Sequence, residues 1–208
     1  MELGSKCKKC RRVGEKLFLK GDRCFTQKCA IVRKPYAPGA HGTGKKRKSS
    51  SEYGTQLNEK QKVKRSYYLR ENQFRKYFEM ASKRGGVTGD TLLQILETRL
   101  DNVVFRGGLA GSRSSAKQMV GHGHISINGK RVDIPSILVR VGDKVSIRKG
   151  SAEKVIFKDL KEKLKKFQPA SWMELDKDNL VISINRIPQK DDVSSGFNMQ
   201  LITEFYSR

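Results

Sequence analysis

Acidic residues are scarce in this 208-residue chain: 21 Asp and Glu stand against 44 Lys and Arg, a formal net charge of +23. A field of that sign repels itself and disfavours a compact state unless a polyanion offsets it. Nucleic acid is the leading partner on that ground, and an anionic membrane surface the lesser one. Long apolar runs are missing too. None approaches the ~20 residues a membrane span requires, and Leu17-Phe18-Leu19 is far too short for a signal-peptide core. The expectation is a soluble chain in a reducing compartment, with no membrane partner. The marks of an active site are also absent: no paired-carboxylate motif, no P-loop, no nucleophile with a base at a recognisable spacing. His122 and His124 have no third ligand near them in sequence and read as local packing or hydrogen-bonding residues. No enzyme is expected.

Cysteine is limited to four, as Cys7-x2-Cys10 and, after thirteen residues, Cys24-x4-Cys29. In a reducing compartment two such pairs point to metal rather than disulfides. Four thiolates can close a tetrahedral shell around one zinc ion and leave no open position for catalysis. An iron–sulfur cluster accepts the same four ligands, so spacing does not choose between them. Lys8, Lys9, Arg11 and Arg12 surround the first pair, where they would shield the anionic site and face phosphate.

The positive charge is unevenly spread. Residues 1–50 hold 15 basic against 3 acidic residues, whereas residues 151–208 hold 10 against 9. Residues 35–51 join glycines and prolines to Lys45, Lys46, Arg47 and Lys48, which reads as an irregular arm ordered against phosphate. Helical character begins at Leu57. Lys62 and Arg65 are candidate RNA contacts there, followed by Arg70, Lys83 and Arg84 beside a helix over 71–83. In that helix Phe74, Tyr77, Phe78 and Ala81 fall at core spacing. Residues 152–167 predict one amphipathic helix with Val155, Ile156, Leu160 and Leu164 inward. Trp172, Met173 and Leu175 predict an edge strand, and 180–184 another strand.

The most patterned stretch is 92–148. Leu92, Leu93, Leu96, Leu100, Val103 and Val104 mark one helix face, stopped by Gly107-Gly108. A shorter helix follows, capped by Ser112 or Ser114, with Ala116, Met119 and Val120 inward and Gly121 at its close. The period then shifts to two: Ile125-Ser126-Ile127, the turn dipeptide Asn128-Gly129, and Arg131-Val132 make a hairpin. Residues 139–141 and 145–147 predict another strand pair around Gly142-Asp143. Free backbone N–H groups at the start of the second helix, with Ser112, Ser114, Ser115 and Arg113, make a phosphate seat. Arg99, Arg106 and Lys117 lie close by on the helix pair, and Lys130 and Arg131 just past the hairpin turn.

The run LETRLDNVVFR, the run SR-x-x-A-K-Q-M-V-x-H-G-H-I-x-I-N-G-K-R-V and the turn Ile134-Pro135-Ser136 together resemble the S-four RNA-binding domain. Tyr53-Gly54, residues 59–64, residues 74–78 and the closing residues 200–208 extend the resemblance to the bacterial-type ribosomal protein S-four family. The four cysteines are similar to those of its metal-binding branch. The resemblance implies an α+β fold with a basic N-terminal segment and four-cysteine site (1–44). A helical domain (45–90) would be completed by about 190–208. The inserted RNA-binding domain would span 91–189, with its core motif at 92–150. It implies an RNA face on the helix pair, and in Lys117 a lysine where the family often has arginine, which gives up a planar fork.

The function implied is structural: a primary binder of small-subunit rRNA that nucleates assembly of the 5′ domain. Such a protein contributes to the mRNA entrance channel and abuts the S-five protein at an interface linked to decoding accuracy. It would work on cytoplasmic ribosomes and not as a homo-oligomer. An RNA-modifying enzyme using this domain as a grip would need a second catalytic domain, and the residues after Gly150 are too few for one. A zinc-dependent DNA-binding factor would want base-reading Arg, Asn and Gln on a recognition helix, where this chain carries phosphate-directed cations.

Overall fold

The computed structural model describes residues 5–44, 51–165, 167–193 and 196–207. Lys45, Lys46, Arg47 and Lys48 lie outside the described residues. In chain order the helices are α1 (Lys6–Val13), α2 (Ala30–Arg33), α3 (Glu52–Ser66), α4 (Glu71–Ser82), α5 (Thr88–Glu97), α6 (Leu100–Arg106) and α7 (Arg113–Gly121). Three strands follow, β1 (Ile125–Ile127), β2 (Lys130–Val132) and β3 (Lys144–Ile147). The short helices α8 (Val155–Lys158) and α9 (Leu160–Lys165), the strands β4 (Met173–Asp176) and β5 (Val181–Ile184), and α10 (Met199–Tyr206) complete the set. The chain divides into a terminal unit, residues 5–92 with 196–207, and a central unit, residues 93–193.

In the terminal unit α10 packs on α3. Ser51 caps α3 by accepting from Gly54 N–H at 3.1 Å, and Asn198 caps α10 by accepting from Gln200 and Leu201. Apolar residues on the inner face of α3 are few, and its buried positions include Lys60, Lys62 and Lys64. Such a face holds only because acids reach it. Glu71 accepts from Lys60 at 2.7 Å and from Lys64 at 2.8 Å, and the ring of Tyr206 stacks on Phe78 at 4.5 Å. Phe74, Tyr77, Phe78 and Ala81 are buried on α4, as their spacing predicts.

The central unit is a helix pair feeding one antiparallel sheet of order β2-β1-β3-β5-β4. Asn128 and Gly129 both take positive φ in the β1–β2 turn. Asn128 then stitches that turn to β3, its amide donating to Asp143 at 2.8 Å and accepting from Lys144 N–H at 2.9 Å. The core gathers Leu100, Val103, Val104, Leu109, Val120, Ile125, Val145, Trp172 and Ile182, all fully buried. Gly107 does more than end α6: a Cβ there would stand 2.1 Å from Ile182 Cδ1, so any side chain would force the buried Ile182 of β5 to shift.

Three expectations are corrected. The helix face starting at Leu92 is two helices, broken at Thr98-Arg99. Leu100 N–H donates to Ile137 O, Asp101 N–H to Pro135 O, and Val139 N–H to Thr98 O, so the 135–139 segment satisfies the start of α6 in place of a continued helix. Residues 139–141 therefore form no strand with 145–147; β3 pairs with β1 and β5 instead. The helix expected over 152–167 is broken into α8 and α9, with Val155 and Ile156 exposed while Phe157 takes the core position.

Candidate nucleic-acid interface

At the heart of the central unit's cationic face lies a buried anion. Glu97 is fully buried and accepts from Arg106 Nε at 3.1 Å, Arg106 Nη2 at 2.9 Å and Asn102 Nδ2 at 2.8 Å. Arg113 stands 3.8 Å from the same carboxylate, donates to Asn102 Oδ1 at 2.7 Å and lies over the ring of Phe105. One acid thus fixes two arginines at the junction of α5, α6 and α7. Both keep part of their surface in solvent, 23% for Arg106 and 16% for Arg113.

The start of α7 is built as the sequence reading requires. Ser112 is the N-cap, its hydroxyl accepting from Ser115 N–H at 3.3 Å and sitting 3.1 Å from Ser114 Oγ. Ser114 and Ser115 remain half-buried, and Lys117 lies half-exposed one turn along. Backbone N–H groups at such a helix start favour an anion. Lys130 and Arg131 are exposed on β2. The guanidinium of Arg131 lies over Gly123, and the φ of +69° at Gly123 is a conformation that disfavours any side chain there.

Some cations read as phosphate contacts are spent inside the protein. Arg99 is buried and pairs with Asp101 through two hydrogen bonds of 3.0 and 2.6 Å. Lys62 is buried against Glu15 at 2.9 Å and the Gly196 carbonyl at 3.1 Å. Arg11 donates to the carbonyls of Lys34, Tyr36 and Ala37 and lies over the Tyr36 ring, which pins the 34–37 segment to α1. These three serve as scaffold, and the tertiary placement that commits each of them is not visible in the local sequence. Lys8, Arg12, Arg70, Lys83 and Arg84 are exposed, Arg65 is half-buried, and Lys9 lies over the Tyr68 ring at 5.6 Å.

Sequence reasoning passed over Arg148, Lys149 and Lys154, all exposed beyond β3. His124 donates to or accepts from Ser151 at 3.0 Å in this region. Burial holds its imidazole below the ordinary value, and the charges of Lys154, His122 and Arg148 lower it further. The basic pair Arg148-Lys149 at a strand end was the available signal.

The cysteines occupy the terminal unit. Cys10, Cys24 and Cys29 are buried, and Cys7, one turn before Cys10, is half-buried. Cys10 shares a small core with Leu17 and Leu19, and Lys20 N–H points at Cys24 Sγ, 3.4 Å away. Burial pushes the Cys10 thiol up, opposed by the Leu17 backbone and reinforced by the sulfurs of Cys24, Cys7 and Cys29. Four thiols are the donor chemistry that suits a thiophilic ion. As arranged, however, no group of three or more His, Cys, Asp or Glu among the described residues forms a ligand set. No helix among them is long and apolar enough to cross a membrane.

Comparison with known proteins adds two matches along the chain. The family model for the ribosomal protein S4/S9 N-terminal domain matches residues 2–97, and that for the S4 domain matches residues 98–145. The small ribosomal subunit protein uS4 of Ruminiclostridium cellulolyticum is 52% identical over 202 residues, covering 97% of this chain and 96% of that protein. Its namesake in Syntrophomonas wolfei is 50% identical over 204 residues, covering 98% and 97%. That of Caldicellulosiruptor bescii is 50% identical over 206 residues, covering 99% and 98%.

Proposed function

The chain belongs to the family of the small ribosomal subunit protein uS4, and from this we infer that it is a structural, rRNA-binding component of the small ribosomal subunit. Its relatives are named as parts of the ribosome rather than for a reaction; the chain is not an enzyme, and it works on cytoplasmic ribosomes. The observation that carries RNA binding is the capped start of α7, where backbone N–H groups, Arg113 and Lys117 share one face. Lys130, Arg131 and Arg148 add exposed charge on the same unit. Double-helical RNA is recognised through phosphates, 2′-hydroxyls and shape rather than base edges, which suits cations held on a rigid frame.

The finer assignments follow from the family resemblance. The protein binds early to the 5′ domain of small-subunit rRNA, with the arm that carries Lys45, Lys46, Arg47 and Lys48 adding phosphate contacts. It abuts the S-five protein, contributes to the mRNA entrance channel and accuracy, and acts as a single copy. Cys7, Cys10, Cys24 and Cys29 hold one structural zinc ion; bound there, the metal supplies a cross-link between α1, the 21–25 turn and the start of α2. Four cysteines within one N-terminal segment, three of them buried, support this.

The deciding experiment is filter binding of the full-length protein to a transcript of the small-subunit rRNA 5′ domain and to an unrelated structured RNA of equal length. Tighter binding to the 5′ domain, weakening linearly with log salt, is expected. Equal affinity for both would overturn the assignment.

A further inference from the structure

Among the exposed aromatic rings of the terminal unit, Phe18 and Phe25 pair with each other. Phe25 is 74% exposed and Phe18 is 41% exposed, with ring centroids 4.9 Å apart and planes 31° apart. Phe18 is flanked by Leu17 and Leu19, both buried in the small core that also holds Cys10. Its own backbone takes φ +49°, a region that few residues other than glycine occupy, and the ring stays exposed. Leaving two apolar rings in water gains nothing for the fold. An outlier of this kind at an exposed ring is a reason to look for a ligand.

The surroundings specify its chemistry. Residues 16–28 carry Lys16, Lys20, Arg23 and Lys28, all exposed, against the single acid Asp22. An apolar protein partner would meet an excess of positive charge on the same exposed segment. A nucleotide supplies both halves of the complement, a π face for the rings and a phosphate for the cations. Unpaired RNA bases, which can be splayed out of a helix, stack on aromatic side chains in this way.

We propose that Phe18 and Phe25 form a stacking platform for an unpaired base of the bound RNA, with Lys16, Lys20 and Arg23 holding the adjoining phosphates. This site rests on the assignment of the chain as an rRNA-binding protein and differs from the α7 face in kind: it takes a base and not only backbone charge. It gives the N-terminal segment a contact sensitive to base stacking, which cations alone do not provide.

The test uses the full-length protein and the 5′-domain transcript at fixed salt. Phe25→Leu and Phe18→Leu keep an apolar side chain but remove the π face. Each should weaken binding by roughly 5- to 150-fold, the span measured for losing one base–aromatic stack, with an unchanged salt slope. Phe25→Trp should bind as the unaltered protein does. Its introduced indole should be quenched by RNA while the one native tryptophan, Trp172, buried in the central unit, keeps its emission. Binding by both leucine variants at the unaltered affinity would overturn the platform. So would a weakening accompanied by a lower salt slope, or an indole that RNA leaves unquenched. Leucine variants that bind rRNA normally yet fail to enter subunits would assign the patch to a protein partner, and likewise overturn it. If the unaltered protein does not prefer the 5′ domain, the broader ribosomal assignment fails first, a result distinct from any of these.

Discussion

Arg106 grips the buried carboxylate of Glu97 with two hydrogen bonds, at 3.1 and 2.9 Å, while keeping 23% of its own side chain in solvent. The pair is therefore unequal. Arg106→Ala would leave a fully desolvated carboxylate with Asn102 and a more distant Arg113, and removing one partner of a buried pair costs about 3–5 kcal/mol. Glu97→Ala leaves two arginines that can reach water, so it should cost less. Urea unfolding followed by Trp172 emission measures both, because Trp172 lies in the same unit. The opposite order of the two losses would show that a stranded carboxylate is not the larger penalty at this pair.

Glu71 makes the terminal unit acid-sensitive. Burial alone would raise its carboxyl, but hydrogen bonds from Lys60 and Lys64, joined by the Tyr206 hydroxyl at 3.0 Å, bring it down to about 2. The folded value lies below the ordinary glutamate value of about 4.3, so the unfolded chain takes up the proton first. The stabilisation is complete above that ordinary value and is lost as pH falls from there toward about 2. Glu71 is 42% exposed, so solvent screens part of the effect. Amide exchange of α10 should accelerate through this window. Glu71→Gln should exchange faster near neutral pH and lose most of that acid dependence; an unchanged profile would show that α10 is held by its ring contacts alone.

How far the sequence could be read depends on whether the signal was local. The hairpin at Asn128-Gly129, the capped start of α7 and the aromatic face of α4 rest on neighbours within a few residues, and each is found where its spacing predicts. The break between α5 and α6 carries no glycine or proline. It arises because backbone groups of Pro135, Ile137 and Val139 bond there, from nearly forty residues away in sequence. In the same way arginine is easily seen, but not the acid beneath it. Arg99 and Arg106 look alike on one apolar helix pattern, yet one is buried on Asp101 and the other opens to solvent from Glu97. Val155 and Ile156 mislead because α8 is too short for periodicity to say which of three consecutive apolar residues turns inward.

Those placements separate scaffold cations from RNA-facing cations by experiment. Lys117, Lys130 and Arg131 have surface to offer, and replacing any one by Ala should lower the slope of log affinity against log salt by about 0.7–0.9 for each phosphate that then goes unneutralised. Arg99→Met and Lys62→Met should reduce stability and leave the slope of the remaining folded protein unchanged, since their charges are met by Asp101, Glu15 and the Gly196 carbonyl. Salt titration of filter binding resolves the two groups. A lower slope for Arg99→Met would mean that this side chain leaves its buried site when RNA binds.

The cysteine cluster gives the sharpest stability test of the N-terminal segment. Its core is small: Cys10, Leu17 and Leu19 with Val13 and Ile31 against it cannot supply much burial energy, and segments of this size are commonly held by a structural ion. If the four thiols bind one, purified protein carries about one zinc per chain, and Cys10→Ser or Cys24→Ser falls well below that because a four-ligand shell is opened. Limited proteolysis should then cut residues 5–44 faster, while the emission of Trp172 reports an unaltered central unit. Iron with visible absorbance would replace zinc by a cluster on the same ligands. Protein that is metal-free when purified without chelators, with cleavage rates equal in all three forms, would leave the four thiols as small apolar packing residues. The segment would then owe its order to Arg11 and the carbonyls of Lys34, Tyr36 and Ala37 instead.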